Sequence, residues 1–234
     1  MKPVVLLLGA TSDMGRAVAR AYAAQGHPLH LAARDAARLA LDAEDLRLRS
    51  GVDVWTHPFD VLAEDAASIM TGLAPPPSIV ICFVGMMGTD PQLIMRTNYT
   101  GPAMVLEAAA DFLQRQGGGV LVGVSSVAGD RGRAGNYVYG SAKAGLTAYL
   151  SGLRARLHGS KVRVVTVKPG FVHTRMTEGM DLPKALTAQP DEVARAIMEA
   201  LEQGRDVVYV RPVWRLIMTI IRLLPEPVFK RLRI

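Results

Sequence analysis

Apolar and polar positions change rhythm in blocks along this chain. Short aliphatic and β-branched runs lie near 3–8, 28–33, 52–59, 78–84, 119–125, 161–168 and 206–210. Between them, helical spacing of apolar residues occupies 14–25, 36–49, 62–73, 91–115, 137–158 and 190–203. Strand and helix alternating in this way predict parallel strands joined by right-handed crossovers. The expected architecture is a single α/β domain, a doubly wound sheet of about seven strands with helices on both faces. The segment 170–189 follows no clear period and reads as an active-site lid or a long loop, its length favouring the functional reading.

Composition agrees with that plan. The 234 residues suit one domain with a full core, and half of them are apolar while 6% are aromatic. The single cysteine, Cys82, sits in the apolar run IVICFVG. It excludes an internal disulfide and a cysteine-rich metal site, and a buried inert thiol is its expected role; no metal is expected. The N-terminal run is too short for a signal-peptide core, and no stretch reaches the ~18 apolar residues of a membrane span. A cytoplasmic protein is expected.

The net charge of +6 is unevenly placed. Residues 211–234 carry six basic residues against Glu226, hence +5, which leaves +1 for the other 210. Basic character belongs to the tail, and no nucleic-acid-binding face is expected of the body.

In open parallel sheets, ligands sit at the carboxyl ends of the strands. Those ends carry GATSDMG, VGMMG, SSVAG and KPGFVHT after the first, fourth, fifth and sixth strands. GATSDMGR has the strand–turn–helix setting of a dinucleotide loop, with Gly9 and Gly15 in place. Asp13 stands where a middle glycine is expected. Backbone N–H groups at a helix N-terminus supply most of the anion binding whatever the side chain. The carboxylate disfavours a pyrophosphate unless it turns away, for instance to cap the helix. The loop is therefore read as modified but functional.

Tyr139 and Lys143, four apart at the start of a helix, share one helix face. A nearby ammonium is expected to lower the phenol pKa toward neutrality. Tyr137 is six from Lys143 and points elsewhere. Ser126, at the end of the fifth strand, can hydrogen-bond a substrate oxygen beside the phenol.

These residues, with SSVAG, YGSAK and KPGFVHT in that order and spacing, resemble the short-chain dehydrogenase/reductase family over residues 3 to about 210. The resemblance implies a Rossmann fold and an NAD(P)-dependent oxidoreductase. It implies that Ser126 positions a carbonyl, Tyr139 is acid or base, and Lys143 binds the nicotinamide ribose and lowers the tyrosine pKa. Asn98, in RTNYTGP, matches the helix asparagine that supports a water-linked proton path. The cofactor loop maps onto Gly9, Thr11, Ser12, Asp13, Met14 and Gly15. Pro169, Gly170, Val172 and Thr174 fall in the PG-x-x-x-T element over the nicotinamide. Asp60 matches the residue that meets adenine, with a plain helix N-cap as the alternative. Gly85 matches the last glycine of an N-A-G turn whose other two positions are Phe83 and Val84 here. At the end of strand two, Ala33 replaces the acid that holds a ribose diol, and Arg34 suits a 2′-phosphate, so NADPH is favoured over NADH. Asp35 reverses that preference if it turns inward. The expected assembly is a homodimer or homotetramer.

The tail RPVWRLIMTIIRLLPEPVFKRLRI is set apart from the body, 1–210, as a basic amphipathic segment, 211–234. Arg215, Thr219 and Arg222 form a narrow polar stripe on a helix that is otherwise apolar. So wide an apolar arc suits an oligomer interface or the plane of a membrane, and Trp214 at its margin with basic neighbours favours the membrane. Because Ser126, Tyr139, Lys143 and Pro169 all lie in the body, the crevice is expected to assemble without the tail. SSVAGDRGRAGNYVYGSAKAG, GFVHTRM, the tail and the GATSDMG loop also resemble the branch of the family containing decaprenylphosphoryl-2-keto-erythro-pentose reductases. That resemblance implies a keto-sugar substrate on a polyprenyl phosphate, for cell-envelope polysaccharide synthesis, met at the inner membrane face. The alternatives are a soluble reductase of a small ketone or 3-oxoacyl group, and a non-enzymatic dinucleotide sensor or scaffold.

Overall fold

A computed structural model of the protein describes residues 2–232. The chain runs β1 (Val5–Leu8), α1 (Asp13–Ala24), β2 (Leu29–Ala33), α2 (Ala40–Ser50), β3 (Val54–Pro58), β4 (Ile79–Cys82), α3 (Pro91–Met95) and α4 (Gly101–Arg115). It continues through β5 (Gly119–Val124), α5 (Tyr137–Arg156), β6 (Val162–Lys168), β7 (Phe171–Val172), β8 (Thr187–Ala188), α6 (Pro190–Glu202), β9 (Val207–Tyr209), α7 (Val213–Leu223) and α8 (Glu226–Phe229).

Seven strands form one parallel sheet in the order β3-β2-β1-β4-β5-β6-β9, as the alternating pattern predicts. β1 shows why its sequence is uniformly apolar. Val5 and Leu7 face the layer of α1, α2 and α6, while Leu6 and Leu8 face α4 and α5. A strand buried on both faces has no polar alternation to display. The order reverses direction between β1 and β4, so the loops leaving those strands part and open a crevice there.

Two predicted helices differ. The stretch 62–73 holds only a single 3-10 turn, Ala66–Met70. Of that stretch only Met70 is buried, and Leu62, Ala66, Ile69 and Leu73 pack only partly against the core, too little burial to hold a longer helix. The stretch 91–115 is two helices, α3 and α4, joined by one π-turn at Arg96–Thr100. Pro102 has no N–H to continue the α-helical ladder, and the Asn98 amide takes the Ile94 carbonyl at 2.9 Å. The segment 170–189 is a long excursion with two 3-10 turns, pinned by a two-residue parallel pairing of β7 with β8.

The tail helix α7 is folded against the body. Trp214 and Met218 are buried with Val127, and Trp214 Nε1 donates to the Leu186 carbonyl at 3.1 Å. Trp214 is thus not at the margin of an exposed face. The apolar residues of α7 that remain exposed are Val213, Leu216, Ile220 and Leu223. Arg131 closes the C-terminal end, donating to the carbonyls of Ile221 at 2.7 Å and Leu224 at 2.5 Å and to the Glu226 carboxylate at 2.8 Å. Its guanidinium also lies 3.8 Å from the centre of the Phe229 ring. No helix among the described residues is long and apolar enough to cross a membrane.

Candidate active site

The loop after β1 is built by two glycines. Gly9 has φ +81°, a left-handed backbone that favours glycine. A Cβ on Gly15 would meet Ser12 Oγ at 2.9 Å and the Gly9 carbonyl at 3.0 Å. Ser12, and not Asp13, caps α1, its hydroxyl accepting from Gly15 N at 3.0 Å. Asp13 turns instead to the segment after β6. Its carboxylate accepts from Arg175 N at 2.8 Å and from Arg175 Nε at 3.0 Å, and Arg175 Nη2 donates to the Thr11 carbonyl.

A cleft of about 410 Å³ runs along this loop, lined among others by Gly9, Thr11, Ser12, Asp13 and Met14. Ala33, Arg34 and Arg38 after β2 and Asp60 after β3 also line it, with Gly85 and Met86 after β4 and Thr174 and Arg175 after β6. Asp35 turns out of it, accepting from Ala37 N at 3.1 Å to cap a 3-10 turn. Asp60 caps no α-helix; its carboxylate accepts from Leu62 N at 3.0 Å in a local turn.

At Gly85 the cleft reaches the chemistry-bearing side chains. A Cβ at this position would meet Asn98 Oδ1 at 2.8 Å and Lys143 Nζ at 3.1 Å. Only glycine lets the β4 loop approach both. Asn98 is fully buried and holds this loop, accepting from Met86 N at 3.1 Å and donating to the Met86 carbonyl at 2.8 Å. The π-turn is what aims its amide here. Lys143 donates to the Val124 carbonyl at 3.1 Å, and its Nζ lies 6.0 Å from the Tyr139 ring centre. Ser125 bridges β5 to α5, donating to the Lys143 carbonyl at 2.9 Å. That bond fixes the register of Ser126 against the face bearing Tyr139 and Lys143.

The electrostatics differ from expectation in one respect. Burial pushes the Tyr139 phenol above its ordinary range, and hydrogen bonding with Ser126 pulls it only part of the way back. The ammonium does not dominate the phenol; its own burial lowers Lys143 to about 8. Burial likewise raises the Cys82 thiol to about 11, consistent with an inert thiol. Tyr137 is exposed and apart.

Pro169 and Gly170 leave β6 toward this centre. The Pro169 carbonyl accepts from Val127 N at 2.9 Å, beside Ser126. Gly170 lies directly under the Trp214 indole. Val172 is buried, and its carbonyl accepts from Thr177 Oγ1 at 2.7 Å, which shapes the turn bearing Thr174 and Arg175. Beneath them Lys168 and Asp130 form a buried ion pair, and Tyr209 Oη donates to Asp130 at 2.9 Å.

The cleft fits an extended dinucleotide. The N-terminus of helix α1 lines it through Ser12 and Asp13, Arg34 and Arg38 share the lining, and Gly85, also in the lining, lacks the Cβ that would meet the Lys143 ammonium behind it. Residues missed by sequence reasoning are Arg38, Arg175 and Arg131, while Trp214, expected at the margin of an exposed face, is buried on Gly170. Arg175 directly follows Thr174, but nothing in sequence links it to Asp13, 162 positions away.

Comparison with known proteins agrees with this geometry. The family model for short chain dehydrogenase matches residues 86–184. An uncharacterized oxidoreductase of Mycobacterium tuberculosis is 39% identical, covering 97% of this chain and 96% of its own. The 3-oxoacyl-[acyl-carrier-protein] reductase of Homo sapiens is 30% identical over 86% of this chain and 92% of its own. The solved structure of a short-chain dehydrogenase from Sphingobium yanoikuyae in complex with NADPH superposes with a TM-score of 0.81 at 24% identity, covering 96% of this chain and 97% of that one. The chain belongs to the short-chain dehydrogenase/reductase family of oxidoreductases.

Proposed function

We propose that the protein is an NADPH-dependent carbonyl reductase acting on a keto-sugar carried by a polyprenyl phosphate. The observation that carries the catalytic part is the meeting of Asn98 and Lys143 at Gly85, with Tyr139 and Ser126 beside them. When bound, the dinucleotide supplies the hydride. Ser126 donates a hydrogen bond to the carbonyl oxygen and fixes its position. Tyr139 keeps its proton through neutral pH because burial raises its pKa, which suits a general acid that delivers a proton as negative charge develops on oxygen. Lys143, on the same helix face, stands where it can hold the ribose hydroxyls, and Asn98 holds the β4 loop beside it. Gly9, Thr11, Ser12, Met14 and Gly15 would hold the pyrophosphate, and Pro169, Gly170, Val172 and Thr174 would cover the nicotinamide. Arg34 and Arg38 in the cleft, with Asp35 turned out of it, support the 2′-phosphate form of the cofactor.

The lipid-linked substrate rests on the tail. Leu216, Ile220 and Leu223 are 62%, 54% and 77% exposed on one stripe of α7. Arg215, Arg222, Lys230 and Arg231 are also exposed along this tail. Each such cation contributes about 1 kcal/mol near an anionic lipid surface. A second copy packed face to face on this stripe would instead bring like charges together, which favours lipid as the partner. Flotation with vesicles of phosphatidylglycerol and phosphatidylcholine tests this. Wild-type protein should float, and the triple variant L216S/I220S/L223S should not. Wild-type protein that stays at the bottom, or a variant that changes only oligomeric state, removes the lipid-surface reading.

The second reading is a soluble 3-oxoacyl reductase, favoured by the 30% identity to the human 3-oxoacyl reductase. Turnover of a soluble 3-oxoacyl thioester with no dependence on vesicles would select it.

A further inference from the structure

The dinucleotide loop carries a carboxylate where it should repel a pyrophosphate, yet Ser126, Tyr139, Lys143 and Asn98 are all in place. The structure supplies a partner for it from the segment after β6. We infer that Arg175 is a cofactor-positioning residue, whose guanidinium neutralises Asp13 and bridges the two walls of the cleft where the cofactor's pyrophosphate is held. This rests on the dinucleotide reading above.

The geometry is specific at both ends. Asp13 is the first residue of α1, so its side chain stands at the positive end of the helix, among the N–H groups that would receive an anion. Both carboxylate oxygens are engaged by one residue, one by the backbone N–H of Arg175 at 2.8 Å and the other by its Nε at 3.0 Å. The same guanidinium reaches the Thr11 carbonyl, which otherwise turns a second partial negative charge toward the cleft. Arg175 follows Thr174 in a 3-10 turn that Thr177 closes, with Thr174 N donating to Thr177 Oγ1 at 3.1 Å. Thr174, Arg175 and Met176 line the same cleft as Thr11, Ser12 and Asp13. The pair spans from the β1 loop to the loop after β6, and it is partly exposed, with side-chain accessibilities of 49% and 25%.

Partial exposure makes the pair worth little to global stability, since a solvated ion pair gives about 0–1 kcal/mol. Its effect falls on the ligand. With Arg175 present, an incoming anion meets a neutral pair. Without it, the anion meets a bare carboxylate a few ångströms from its phosphates, in a concave site where screening is weaker than on an open surface. The charge balance of the loop is then a property of two residues that neither wall holds alone.

The test is direct binding of NADPH, read by protein fluorescence and by the melting temperature with and without cofactor, so no turnover is needed. R175A should weaken NADPH about tenfold while leaving the cofactor-free melting temperature within a few degrees of wild type. D13N should bind at least as tightly as wild type, because the guanidinium is kept and the repelling charge is gone. D13N/R175A should recover most of the affinity lost in R175A. Unchanged affinity in R175A, weaker binding in D13N, or a double variant no better than R175A each overturns the proposal. A wild-type protein that binds no dinucleotide at all would instead overturn the reductase reading on which it rests.

Discussion

Trp214 lies on Gly170: a Cβ at position 170 would come within 2.0 Å of the indole Nε1. A residue of the C-terminal helix therefore packs on the backbone of the segment that leaves β6 for the active site. Val127, next to Ser126, joins the same small core with Met218. The tail thus backs the segment that leaves β6.

Replacing Trp214 with alanine should cost about 3–5 kcal/mol, the range for a large buried aromatic. G170A should expel the indole and lower the melting temperature comparably. Deletion of 212–234 removes this cover altogether, so activity on a short soluble ketone should fall along with activity on a lipid-linked one. Full soluble-substrate activity in the truncated protein would show that the body assembles the crevice alone.

Tyr139→Phe keeps the ring and removes the proton. NADPH binding and the melting temperature should stay near wild type, while turnover drops by about 10²–10⁴. Single-turnover hydride transfer followed by nicotinamide absorbance measures this. Near-native rates would assign the proton to another group.

The cofactor preference is tested at Arg34. A charge-assisted hydrogen bond contributes about 1.5–3 kcal/mol, so R34A should weaken NADPH roughly 10- to 150-fold and leave NADH nearly unchanged. R34A/R38A should abolish discrimination. Equal losses for both cofactors would place the arginines away from the 2′-phosphate.

Lys143 predicts a pH signature in stability. Its folded pKa, about 8, lies below the ordinary lysine value of 10.5. Between those limits the unfolded chain binds more protons than the folded one, so this residue makes stability rise with pH from 8 toward 10.5. Below pH 8 the folded protein carries a buried ammonium and that contribution is absent. In denaturant titrations, the stability of wild type relative to K143M should climb across this window. A flat difference would mean that the ammonium is effectively solvated.

Much of the fold is legible from the chain alone. The uniformly apolar VVLLL and IVIC runs can only be strands covered on both faces, and the helical spacing between them forces crossovers and a parallel sheet. The placement of Ser126 at a strand end and of Tyr139 and Lys143 at a helix start is legible for the same local reason, since both features depend on near neighbours. Sequence periodicity also overreaches where burial is absent, as at 62–73, which is mostly exposed and makes one turn.

What tertiary structure decided involves residues far apart in the chain. Asn98 could be read as a helix polar residue, but only the π-turn shows its amide holding Met86. The phenol pKa depends on burial by several elements at once, which a four-residue spacing does not record, so burial and not the ammonium leads. Trp214 reads as amphipathic on a helical wheel, yet the absence of a side chain at Gly170 draws it inward. The carboxylate of Asp13 is an anomaly within its own loop and acquires its partner only when the segment after β6 folds across to it. Local periodicity sets which elements form and which face each buries; charge balance and close approach are set between elements, by contacts that sequence spacing cannot express.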